Sequence, residues 1–261
     1  KAIYYYTLAA NNNEAGAQYN LAYLYFSMKD VKKMLYYLSL AAKQNFSEAH
    51  YFLGYLYKHG IYVKQDIKKS IFYLSLASQG NIANANFSLG IIYLNGKLIK
   101  KDINKAIHYL TLGANLNHSE SQYILSRLYL KGIDVPKNVN KGLNYLVLSS
   151  ENRNIKSQFS LGFLYHSGQF TEQNINKAIY LYKQSSSFNF QFAKVNLGVI
   201  YAQGFENIIK PNKELAKEYF LEAIRQENDM LAYYNLAHMY LYDESIKDRI
   251  DEAIEILFKS M

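Results

Sequence analysis

The 261-residue sequence has no cysteine, no tryptophan and only two prolines. The lack of cysteine excludes a disulfide framework, a thiolate metal site and a thiol nucleophile. With so few prolines and no low-complexity tract, no stretch reads as a linker. No apolar run approaches the ~18–20 residues that a membrane span needs, and the chain does not open on a secretory n-region and h-region. Arginine is scarce too. Arg127, Arg153, Arg225 and Arg249 are the four in a total of 29 basic residues, so the formal charge of +8 is carried by lysine. Arginine is the usual reader of base edges, and its scarcity argues against sequence-specific nucleic-acid recognition. The lysines at Lys64, Lys68, Lys69, Lys100, Lys101, Lys137, Lys141 and Lys177 fall around a recurring turn. They read as a solvated ridge, with a phosphate-tracking stripe for RNA as the alternative.

What the sequence has in abundance is repetition. Leu53-Gly54-Tyr55-Leu56-Tyr57 returns as Leu89-Gly90-Ile91-Ile92-Tyr93, Leu161-Gly162-Phe163-Leu164-Tyr165 and Leu197-Gly198-Val199-Ile200-Tyr201. Variants with another small residue centre on Ala22, Ser126 and Ala237. From Gly54 through Gly90, Ser126 and Gly162 to Gly198 each step is 36 residues; the step from Ala22 is 32 and that to Ala237 is 39. A period of this size marks small units that bury their apolar faces against their neighbours. The expected organisation is one solenoid over 1–261, with a partial repeat at 1–13 followed by about seven repeats.

Each unit reads as two helices and two turns. Gly60, Gly96, Gly132, Gly168 and Gly204 stand six residues after the small residue, where a helix end needs a left-handed backbone. Asp30, Asp66, Asp102, Asn138, Asn174 and Asn212 stand where a side chain caps the free N–H groups of a second helix. In the last repeat Arg249 holds that place, with Asp248 before it. Counting the small residue as zero, positions −1, 0 and +3 share one arc of the first helix and are Leu, small and Tyr in all copies. They form the predicted core, so none of these tyrosines is a catalytic candidate.

The run Ala83-x-Ala85-x-Phe87-x-Leu89-Gly90-x-x-Tyr93-x-x-Gly96, with Asp102 and Lys105-Ala106-Ile107-x-Tyr109 after it, resembles the Sel1-like repeat family, a relative of the tetratricopeptide repeats. The resemblance covers essentially the whole chain and implies an all-α fold, a right-handed α-α superhelix of helix-turn-helix repeats. It also implies a scaffold or adaptor. Members assemble protein complexes in bacterial signalling and host interaction, or act in the endoplasmic-reticulum lumen in misfolded-protein degradation. The compartment stays open among that lumen, the bacterial periplasm, the cytoplasm and secretion. Sequons at Asn45, Asn86 and Asn117 are about as many as chance gives and do not decide it.

No constellation for catalysis stands out. His50, His59, His108, His118, His166 and His238 show no His-Glu-x-x-His pair and read as surface or rim residues. The glycines punctuate helix ends instead of clustering as a phosphate cradle. Asp251, Glu252 and Glu255 read as a solvent face. The expectation is a non-enzymatic protein with no cofactor, no metal and no small-molecule substrate, whose partners are other proteins. If first helices line the concave side, positions −2, +1 and +4 are free to touch a partner: Asn20, Tyr23, Phe52, Tyr55, Arg127, Phe163, His166, Asn196 and His238. Lys1-Ala2-Ile3 matches Lys105-Ala106-Ile107, so the sequence starts within a repeat. Apolar ends of such an array are expected to self-associate or to be covered by further repeats.

Overall fold

The computed structural model describes residues 1–188, 190–206, 208–227 and 229–241. Among them lie fourteen helices: α1 (Ala2–Asn11), α2 (Ala15–Ser27), α3 (Val31–Lys43), α4 (Ser47–His59), α5 (Ile67–Gln79), α6 (Ala83–Asn95), α7 (Ile103–Asn115), α8 (Ser119–Lys131), α9 (Val139–Glu151), α10 (Ile155–Ser167), α11 (Ile175–Ser186), α12 (Gln191–Gln203), α13 (Lys213–Glu227) and α14 (Met230–Leu241). The fold class is all-α, of the α-α superhelix type. Two compact units divide it, residues 1–145 and 146–261, with the boundary inside α9. The turn and second helix expected around Arg249, and the acidic residues Asp251, Glu252 and Glu255, lie outside the described residues.

The helix starts are set by the side chains the repeat pattern marks. Oδ1 of Asp30, Asp66 and Asp102 accepts from the backbone N–H three residues on, at 3.1, 3.0 and 3.0 Å. Asn138, Asn174 and Asn212 do the same at 2.9, 2.9 and 3.0 Å. Each such cap is worth ~1 kcal/mol, because it satisfies a donor that the helix itself cannot. Gly60, Gly96, Gly132 and Gly168 close the first helices in the left-handed conformation. Gly204 departs from this. It keeps a positive φ of 70° but has ψ −174°, and the chain runs on into a short bridge between Phe205 and Ile209.

In the first unit the small residue does what its size allows. A Cβ added to Gly54 would lie 2.7 Å from Leu74 Cγ, and one added to Gly90 would lie 2.6 Å from Leu110 Cγ. Leu74 and Leu110 are fully buried, so each second helix seats a leucine directly on the bare backbone of its partner. The core tyrosine at +3 is more specifically held than a gap-filler. Tyr25, Tyr57, Tyr93 and Tyr129 stack nearly parallel on Tyr37, Tyr73, Tyr109 and Tyr145. Lys33, Lys69, Lys105 and Lys141 sit over the same four rings at 4.4–5.2 Å.

In the first unit a buried polar row at position −4 ties first helices to the end of the preceding second helix. Gln18 Nε2 donates to the Ala10 carbonyl and Gln122 Nε2 to the Ala114 carbonyl, each eight residues back. His50 belongs to this row. It is buried, not at the surface or rim, and hydrogen-bonds the Ala42 backbone while burial holds its pKa below the usual histidine range. An unsatisfied carbonyl there would cost more than the side chain's own desolvation, which is why polar residues are tolerated inside.

The second unit repeats this plan with larger side chains. Tyr182 and Phe220 take the place of the seated leucine, meeting a Cβ built on Gly162 at 3.0 Å and on Gly198 at 2.5 Å. Tyr182 is fully buried, and burial raises its hydroxyl pKa far above the usual tyrosine range, with Asn196 offsetting part of the shift. Its hydroxyl still lacks a hydrogen bond of normal geometry. Lys194, at position −4, is buried and pairs with Glu222 at 2.9 Å.

Candidate protein-interaction surface

On a helix, positions four apart lie one above the other, so +1 shares a face with −3. In the first unit this gives the pairs Tyr19 and Tyr23, Tyr51 and Tyr55, Phe87 and Ile91, and Tyr123 and Arg127. In the second it gives Phe159 and Phe163, Val195 and Val199, and Tyr234 and His238. Tyr23, Tyr55 and Phe163 are 59%, 38% and 46% exposed, a large solvent share for aromatic residues on a packed helix. The −3 aromatics from Tyr19 to Phe159 are half-buried beneath them. Burial raises the hydroxyl pKa of Tyr19 and Tyr51, so both rings are neutral at any ordinary pH. Arg127 lies over the Tyr123 ring at 5.8 Å, which keeps the guanidinium extended along the face.

Of the residues singled out from sequence, those at +1 reach solvent: Tyr23, Tyr55, Arg127, Phe163 and His238 are all exposed. Position −2 behaves differently. Asn20 is exposed and Asn196 is half-buried beside Tyr182, but Phe52 is buried among the rings of Tyr19, Tyr23 and Phe26 at 5.2–6.5 Å. The −2 flank turns toward the neighbouring first helix, so Phe52 offers no free surface. His166 at +4 is half-buried, with its ring edge-on to Tyr182 and Phe205, and burial lowers its pKa. Within the second unit His166 and Asn196 therefore meet at the same buried tyrosine. The −3 aromatics and exposed Phe192, which packs at 6.2 Å from Phe159, were not singled out. Their signal was present as an aromatic three residues before the small residue at Tyr19, Tyr51, Phe87, Tyr123 and Phe159.

At least four of the eight lysines of the turn ridge are engaged by neighbours. Lys69, Lys141 and Lys177 lie over tyrosine rings, and Lys101 pairs with Asp134 at 2.7 Å. Among the described residues no group of three or more His, Asp or Glu side chains could hold a metal ion, and no helix is long and apolar enough to cross a membrane.

Paired antiparallel helices, a left-handed glycine after the first and an Asp or Asn cap before the second define a superhelical repeat protein. The particular family follows from the sequence of the units. The Sel1 repeat profile matches at residues 1–14, 15–46, 47–81, 83–118, 119–154, 155–187, 192–228 and 231–260, and the chain belongs to the Sel1 repeat family. Proteins of this family generally serve as protein-interaction scaffolds. Among solved structures, a Sel1 repeat protein from Oxalobacter formigenes is 21% identical with a TM-score of 0.75, the match covering 94% of this chain and 96% of that one. A protective antigen of uropathogenic Escherichia coli is 23% identical with a TM-score of 0.66 over 99% of this chain. The chain spans 63% of that antigen's length. At such identities the likeness is one of fold. No curated protein matches the chain significantly.

Proposed function

We propose that this chain is a non-enzymatic scaffold that binds partner proteins through the aromatic face of its first helices. The observation that carries the reading is an exposed +1 residue above a half-buried −3 aromatic in four of the seven repeats, at Tyr23, Tyr55, Arg127 and Phe163. Aromatic and arginine side chains held on a rigid helix supply most of the binding energy of protein interfaces, because they bury large area at little entropic cost. Tyr23, Tyr55, Arg127 and Phe163 have that chemistry and are exposed. Whether the setting is quality control in the endoplasmic reticulum or bacterial signalling and host interaction is decided by the partner's identity.

The alternative is RNA binding along the lysine ridge. Phosphate tracking needs lysines free to leave their present neighbours, and stacking on Tyr57, Tyr129 and Tyr165 already occupies three of them. Two triple variants separate the readings in a capture experiment from the native source. Tyr55→Ala, Arg127→Ala and Phe163→Ala together should leave the helical fold intact and remove the captured protein, since each lost anchor costs about 1–4 kcal/mol of binding. Lys68→Ala, Lys101→Ala and Lys137→Ala together should leave capture unchanged. If the aromatic variant keeps its partner and the lysine variant loses RNA, the reading fails.

A further inference from the structure

The charge of the chain is concentrated in the first unit. Residues 1–145 hold 17 lysines and arginines against 7 aspartates and glutamates, a net +10, so the remaining residues carry −2 of the total +8. Such asymmetry between halves points to an anionic partner. Within the first unit the charge gathers at the turns between first and second helices. Taken with a flanking helical turn on either side, three of these turns are residues 58–69, 94–105 and 130–141, and together they contain eleven lysines, three aspartates and no glutamate. The turn in the same register of the second unit, residues 166–177, has one lysine and one glutamate.

The three aspartates are engaged inside the fold. Asp66 and Asp102 cap α5 and α7, and Asp134 pairs with Lys101. Lys64, Lys68, Lys97 and Lys100 are exposed, and none of them forms an ion pair among the described residues. Neighbouring turns touch. The Lys101–Asp134 pair at 2.7 Å joins one turn to the next, and the Tyr62 ring lies edge-on to Phe26, near the end of α2, at 5.8 Å. The turns thus make one continuous basic edge.

Each of these turns also points a large apolar side chain outward. Val63, Ile99 and Val135, 36 residues apart, are the inward anchors and pack on the core. Close to them in sequence, Tyr62, Leu98 and Ile133 are 43%, 47% and 52% exposed. The boundary of a lipid bilayer accommodates an apolar tip among lysines, since the tip enters between headgroups while the ammonium groups stay with the phosphates. RNA fits this edge less well. Leucine and isoleucine offer a base neither a stacking plane nor a hydrogen bond, and none of the eleven cations is an arginine.

We infer that this edge of the first unit docks on an anionic lipid bilayer. Leu98 and Ile133 reach the headgroup–acyl boundary with Tyr62 beside them, and the lysines lie on the lipid phosphates. The inference is independent of the protein-binding face, because Tyr23, Tyr55 and Arg127 lie within first helices and not on these turns.

The full chain is titrated with vesicles of phosphatidylcholine containing about 30% phosphatidylserine, and with phosphatidylcholine alone, and binding is read by cosedimentation. Anionic vesicles should bind about tenfold or more tightly than neutral ones, and added salt should weaken the binding. Leu98→Ser with Ile133→Ser should keep the wild-type thermal midpoint and bind anionic vesicles about tenfold more weakly. Lys64→Gln, Lys97→Gln and Lys100→Gln together should lose at least as much. Because the chain has no tryptophan, Leu98→Trp supplies a lone reporter whose emission should shift to the blue with anionic vesicles. Tyr180→Trp, exposed on α11 in the second unit, should show no shift. The inference is overturned if anionic vesicles do not bind, if neutral vesicles bind equally well, or if the chain binds mixed-sequence RNA and no vesicles. Equal binding by the double serine variant would also overturn it, since charge alone would then account for the adsorption. Each of these failures leaves the first-helix face untouched.

Discussion

Gly90→Leu is expected to lower stability by about 3 kcal/mol or more, read as a fall in the midpoint of chemical denaturation. A Cβ alone would lie 2.6 Å from Leu110 Cγ and 3.3 Å from the Leu110 backbone nitrogen, and leucine adds three further carbons on the same bond. Leu110 is fully buried in a cluster with Ala114, Leu125 and Leu128, so it has nowhere to go without parting α6 from α7. Because each repeat leans on its neighbours, the loss spreads along the unit. Gly90→Ala is a useful companion. It gains up to ~1 kcal/mol of helix propensity against a contact that the Leu110 side chain can partly relieve, and its net effect should be much smaller. An unchanged midpoint for Gly90→Leu would mean that the two helices do not cross at Gly90, and the register of every repeat would fall with it.

Phe52→Ala should cost about 3–5 kcal/mol, the usual loss for a buried aromatic side chain. Its ring contacts Tyr19, Tyr23 and Phe26, so truncation opens a cavity between α2 and α4. Tyr55→Ala, three residues along the same helix, should change stability by ~1 kcal/mol or less, since its ring is partly in solvent and leans on His59. Denaturation of the two variants side by side checks the placement of both residues. Equal losses would mean that Tyr55 is core and unavailable to a partner.

The contrast between these residues shows where sequence reasoning stops. Caps and glycines were legible because each acts within three or four residues of itself, and the Asp66, Asp102 and Asn174 caps all appear at their expected places. The seated small residue was legible because recurrence at 36 residues marks what must not change in size. Phe52 was misplaced because one helix read alone cannot tell which of its flanks the next repeat covers. The stacking of Lys69 on Tyr57 and of Tyr57 on Tyr73 was hidden for a related reason: it joins residues 12 and 16 apart across a turn.

The claim that first helices carry the protein-binding face is tested most directly by site-specific photo-crosslinking in the native source. A photoreactive phenylalanine is placed in turn at Tyr55 and Phe163, which are exposed on first helices, and at Tyr36 and Phe72, which are exposed on second helices. All four are large surface aromatics, so folding should be equally tolerant of each replacement. Protein adducts at positions 55 and 163, with none at 36 and 72, are the predicted result. Adducts confined to 36 and 72, or RNA in place of protein at 55 and 163, would contradict it.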